Sequence, residues 1–244
     1  MTSPELVHTI HRAWQTAEHD LQRQGVTVET SRQVHDAALG SVTFSHVPPV
    51  RLSCIRGLVA PSYRGPCLHP DCKSAGCEGN RLYIISTSPL LMRIKLPHHK
   101  NACKWGQAVI EFDVPSDLAA LLYTYLGAPR RALLEFHLLI GQTCPYVFMD
   151  MQGRGFASAV FTLYWQNWLV SQGGVPMNPS TCRQVFVDER ASNNAVAGPS
   201  NQGAAMVMGH SEQQWRRWYD MQFHPRLAQN AVDDMQSWRS AWLT

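Results

Sequence analysis

Two groups of residues in this chain have the types and spacings that chemistry needs. The first lies in residues 61–80, where Cys67, His69, Cys72 and Cys77 fall within eleven positions. Three thiols and an imidazole suit a tetrahedral Cys3His zinc site, although four residues separate successive cysteines here instead of the two usual in zinc ribbons. The stretch around them is rich in Gly and Pro and has little to bury, so a metal staple would supply what a core cannot. The alternative is a loop carrying free thiols. The second group is spread along the chain: Arg51, Lys100, Arg183, His210 and Tyr219. Arginine and lysine can donate to an anion, and histidine and tyrosine can exchange a proton.

Each of these five has a definite local context. Arg51 follows Pro48-Pro49 at a turn into a helix, with Ser53, Ile55 and Leu58 behind it. Lys100 sits in the basic loop Pro97–Gly106, after His98 and His99, and Lys104 is the second lysine of that loop. Pro179-Ser180-Thr181-Cys182-Arg183 opens a helix after Asn178. Gly209-His210 precedes Tyr219 by nine residues, and the tyrosine sits in Trp218-Tyr219-Asp220.

In this order and context the residues resemble the catalytic domain of the tyrosine recombinase, or phage-type integrase, superfamily. The likeness is greatest to recombinases of eukaryotic mobile elements and runs from about Gln33 to Asp220. It implies an α+β, mainly α-helical catalytic core with a small antiparallel three-stranded sheet. It also implies cleavage and rejoining of double-stranded DNA through a 3′-phosphotyrosine on Tyr219, in site-specific recombination or integration. Arg51, Arg183 and His210 would bind the phosphate, and Lys100 would protonate the 5′-hydroxyl. The chemistry would need no cofactor, the structural zinc apart. The resemblance further implies a homo-oligomer on DNA and a nuclear location. Ser180 departs from the family, which usually has a histidine or lysine three residues before the second arginine. If Ser180 gives no base, His98 and His99 are the first substitutes. The competing readings are a catalytically inactive, domesticated DNA-binding protein and an unrelated zinc-stapled interaction protein.

These residues need elements to place them. Leu6, Ile10, Trp14, Ala17 and Leu21 form a helical stripe that Ser3-Pro4 opens and Gly25 stops. Residues 1–28 thus read as one helix, the remnant of a clamp domain, and 29–244 as the catalytic domain. A second helix is expected from Ser31 to Ala38. Arg81–Ile85, Leu91–Leu96 and Val109–Val114 read as strands, the last two alternating apolar and charged. A helix follows Pro115 and ends at Gly127-Ala128-Pro129. Another begins at Ser158, with Val160, Phe161, Tyr164, Trp165, Trp168 and Leu169 inward. Ala191–Gly203 reads as a link and Ala204–Met208 as a short helix. Val232, Met235, Trp238 and Trp242 give a last helix an apolar face, for its own domain or for a neighbouring protomer.

The 244 residues allow one large domain or two small ones, and 45% are apolar. No run of 18 apolar residues marks a membrane span, and no secretory signal opens the chain. The seven cysteines are therefore read as thiols or metal ligands. A net charge of +3 is compatible with DNA without arguing for it.

Overall fold

The computed structural model describes residues 2–46, 50–69, 72, 77–99, 109–138, 144–192 and 225–243. Lys100, Lys104, His210 and Tyr219 lie outside them, as do most of the expected link and the Ala204–Met208 helix.

Helix α1 (Ser3–Gln24) is capped by Thr2, one residue ahead of the serine expected. The Thr2 hydroxyl accepts from the Glu5 amide and the Glu5 carboxylate from the Thr2 amide, which satisfies two orphan donors at once. Gly25, at φ 72°, ends the helix as expected. Leu6, Ile10, Trp14 and Ala17 are buried, and α1 packs against α2 (Val28–Gly40). Thr27 and Thr30 cap α2 reciprocally, so it starts before Ser31. A π-helical segment, Ser41–Ser45, leads towards the short helix α3 (Leu52–Arg56).

The sheet is antiparallel in the order β1 (Arg81–Thr87), β2 (Leu90–Leu96), β3 (Ile110–Asp113). Met92, Ile94, Leu96, Ile110 and Phe112 are buried on one face. Arg93, on the wet face, reaches Asp113 at 2.6 Å and Glu111 at 3.1 Å. The alternation read from the sequence is thus the pleat of β2 and β3.

Helices α4 (Ser116–Leu126) and α5 (Ala128–Leu138) follow directly. The Gly127-Ala128-Pro129 stop ends α4, but a new helix begins there at once. Pro129 falls in the first turn of α5, where a missing N–H costs nothing. Arg130 on α5 is buried and donates to the carbonyls of Cys144 and Tyr146 at 2.8 and 2.7 Å. The segment 58–60 then lies between the start of β1 and residues 145–147, bridged at Val59 to both Arg81 and Tyr146.

In α6 (Ser158–Ser171), Phe161, Trp165, Trp168 and Leu169 are buried as expected, but Val160 faces solvent. Helices α7 (Pro179–Ser192) and α8 (Pro225–Leu243) are the last two among the described residues. One hydrophobic cluster runs from Leu6 on α1 to Met235 on α8. Val232 and Met235 are fully buried in it, so the apolar face of α8 is used within its own chain. The protein is mainly helical with a small antiparallel sheet, the α+β class expected. Among the described residues no helix is long and apolar enough to cross a membrane.

Candidate functional site

Arg51 stands at the N-cap of α3 with extended backbone, and its carbonyl accepts from the Cys54 amide at 2.8 Å. Arg183 lies in the second turn of α7. Asn178 caps that helix, its Oδ1 accepting from the Thr181 amide at 2.7 Å. The neighbouring Cys182 is buried and anchors the helix to the core.

Arg51 and Arg183 are far apart in the sequence and share one electrostatic neighbourhood. Burial, and then the positive charge of Arg51, push the Arg183 guanidinium down to about 10. Burial also pushes the Cys54 thiol up to about 11, with both guanidiniums pulling it back. Cys54 is therefore a neutral thiol near pH 7 and is not a nucleophile. The Arg51 charge disfavours the charge on Arg183, and an anion with several acceptor oxygens would offset it. Ser180, one turn before Arg183, is exposed.

A second cluster sits beside this pair. The ligand atoms of Cys67, Cys72, Cys77 and His98 all lie within 4.8 Å of one another, and these four side chains could hold a metal ion. A tetrahedral site with Zn–S bonds of about 2.3 Å needs sulfurs about 3.8 Å apart, so little movement is required. His98 Nε2 is 3.2 Å from Cys67 Sγ and 3.1 Å from Cys77 Sγ. The place expected for His69 thus goes to His98. The His69 amide turns in to Cys67 Sγ at 3.4 Å, and its carbonyl accepts from the Cys72 amide at 3.0 Å. Its ring stacks on that of His98, with centroids 4.4 Å apart and an interplanar angle of 13°.

His98 is supplied by the exit of β2, and its peptide is held on both sides. Asn80 Oδ1 accepts from the His98 amide at 2.9 Å, while Asn80 Nδ2 donates to its carbonyl at 3.0 Å. Arg81, also buried, donates to the Tyr63 carbonyl at 2.7 Å and to the Glu78 carbonyl, so it gathers both ends of the insert. A cavity of about 410 Å³ opens alongside, walled by Ser53, Arg56, His69, Asn80, His98 and Tyr146.

The structure therefore brings together Arg51 with Arg183, and the three cysteines with one another. Sequence reading missed His98 as a ligand, along with Asn80 and Cys54 as its supports. The His98-His99 pair at a strand end was visible, but its pairing with the insert depends on the β1–β2 register. No family model, curated protein or solved structure matches this chain.

Proposed function

We propose that this chain is a tyrosine recombinase-like enzyme that breaks and rejoins double-stranded DNA, assembled as a homo-oligomer on its substrate in the nucleus. The observation that supports this reading is that the charge of Arg51, at the N-cap of α3, is felt at the half-buried Arg183 on α7. Both were singled out by the resemblance of their local contexts to the recombinase pattern, and a phosphodiester is the anion that two planar donors fit. In the reaction, the hydroxyl proton of Tyr219 passes to solvent hydroxide, and the phenolic oxygen forms a bond to phosphorus as the bond to the 5′ oxygen breaks. Lys100 gives that oxygen its proton, and His210 donates a hydrogen bond to the phosphate. The two arginines stabilise the charge of the crowded intermediate geometry. The phosphate-ester bond is conserved as a phosphotyrosine, so rejoining needs no nucleotide. The ion at the cysteine cluster is a structural zinc and takes no part in this step.

The experiment is trapping on a nicked suicide DNA. A covalent protein–DNA adduct is expected, and Tyr219→Phe should abolish it while leaving DNA binding intact. One observation favours a second reading. Ser180 is exposed and offers only a hydroxyl where a base is wanted. In that reading the chain is an inactive DNA-binding protein derived from such an enzyme. DNA binding with a steep salt dependence and no adduct identifies it.

A further inference from the structure

We propose that zinc at Cys67, Cys72, Cys77 and His98 cross-links the 61–80 insert to the exit of β2 and to α3, so that metal occupancy holds in place the helix that Arg51 caps. The inference rests on reading the ion as zinc, and it is independent of any DNA chemistry. The ligands fall in two separate segments, one in the insert and one across the sheet. A staple closed by His69 would have stiffened the insert alone; His98 makes it a tie between elements.

The surroundings are built for thiolates. Cys67 Sγ accepts from the His69 amide, and Cys77 Sγ from the Gly79 amide, each at 3.4 Å. Donors of this kind orient metal ligands and stabilise their charge. Gly79 has φ +74°, and a Cβ there would come 3.2 Å from Cys67 Sγ. Glycine is thus favoured by the backbone at this position, and the sulfur leaves a side chain little room.

The tie then reaches α3. The His98 carbonyl accepts from Asn80 at 3.0 Å and faces the Cys54 thiol at 3.8 Å. Cys54 lies on α3, which has five residues. A helix that short has no stability of its own, so its position comes from tertiary contacts. Release of His98 would remove one of them, three residues from Arg51.

The test uses the full chain purified without chelator. Metal analysis should find one zinc per chain, and cobalt should replace it with the intense visible bands of a tetrahedral thiolate site. Loss of a supporting residue typically lowers metal affinity by about 10–100-fold. His98→Ala should therefore lower it by more than about 100-fold, and His69→Ala by less. If His98→Ala does not fold, His98→Cys should keep the metal and shift the cobalt bands towards a four-thiolate spectrum. On chelation, the amides of Cys54 and Ile55 should exchange at least about tenfold faster, while those of α1 stay protected. The reverse order of the two histidine variants would overturn the ligand set. Zinc binding with no change of exchange in α3 would overturn the cross-link and leave the zinc reading standing. Absence of zinc would overturn both.

Discussion

If the chain is the recombinase proposed, Arg51 and Arg183 would make separable demands on a phosphate, and each can be tested alone. Loss of one preorganised donor to a developing oxyanion costs about 2.7–4 kcal/mol in the chemical step. Arg51→Ala and Arg183→Ala should each slow single-turnover cleavage of nicked DNA by that amount. Lysine at either position should recover only part of the rate, because it restores charge without the planar fork. A change under threefold for both alanine variants would remove them from the phosphate site. Ser180 raises a different question. A tyrosine hydroxyl ordinarily titrates near 10, so few phenolates exist at pH 7. General-base help is worth about 10²–10⁴-fold, and Ser180 cannot give it. His98 cannot substitute either, because its Nε2 faces the sulfurs of Cys67 and Cys77. Cleavage should therefore be slow and should climb with pH above 8. Ser180→His should raise the neutral rate and flatten that climb. Fast, pH-independent cleavage by the natural chain would point to another base, with His99 next in line.

Elements meet at points where single atoms matter. Gly40 closes α2 against Trp168 of α6, and a Cβ there would come 2.5 Å from the indole. Trp168 is buried, so it cannot step aside freely. Gly40→Ala should cost about 1–3 kcal/mol, as overpacking does, seen as a lower urea midpoint at unchanged slope. On α8, Met235 is fully buried, and Met235→Ala should cost about 2–5 kcal/mol. No loss would mean that α8 is not held by this face. Such contacts also explain what could be read in advance. The stripe Leu6–Ile10–Trp14 and the alternation Met92–Ile94–Leu96 repeat a local period, and each became a buried face. Capping Thr2 and Thr27 lay one to four residues ahead of the starts expected, because reciprocal side-chain bonds set helix ends and periodicity does not. Helix α5 was hidden by Pro129, which reads as a breaker yet is harmless in a first turn. Val160 fits the inward stripe of α6 by spacing, but no described element covers it. The metal cluster was legible only for its three cysteines, which are close in sequence. His98 joins them through strand pairing, and no local pattern carries that.

At the scale of the whole molecule, α8 ties the two ends of the chain together through a buried polar group. His46 follows the π-helical segment and is fully buried, with its ring 4.9 Å from that of Trp14 on α1. Its Nδ1 lies 2.7 Å from Ser45 Oγ and its Nε2 3.3 Å from Asp117 Oδ2 on α4. Arg239 on α8 reaches the same Asp117 oxygen at 2.6 Å and stacks its guanidinium over Trp14. Gln236, also on α8, donates to the His46 carbonyl at 2.5 Å. Burial, opposed by Asp117 and aided by the Arg239 charge, holds His46 down to about 4. His35 is lowered by burial as well. It is fully enclosed, with Nε2 accepting from the Met149 amide at 3.2 Å. In the unfolded chain both imidazoles take up protons near the ordinary histidine value of about 6.5. Between pH 6.5 and about 4 the unfolded state therefore binds more protons than the folded state, and stability falls as pH falls. For His46 the loss levels off below about 4 and amounts to roughly 3–4 kcal/mol at most, from about 1.4 kcal/mol for each pH unit. Asp117 does not contribute in this window. Burial would raise its carboxyl, but His46 and Arg239 hold it below the usual range, so its share is lost only in stronger acid. Urea midpoints measured from pH 7 to pH 4 should decline for the natural chain. Acid also protonates the metal ligands, so the decisive quantity is a difference. His46→Gln removes one titrating group and leaves the cysteine cluster alone. The gap between the two midpoints should narrow steadily from pH 6.5 to 4, as the natural chain loses the advantage of its neutral imidazole. A gap that stays constant across that range would mean that His46 titrates alike in both states, and that the contact between α8, α4 and α1 does not exclude its charge.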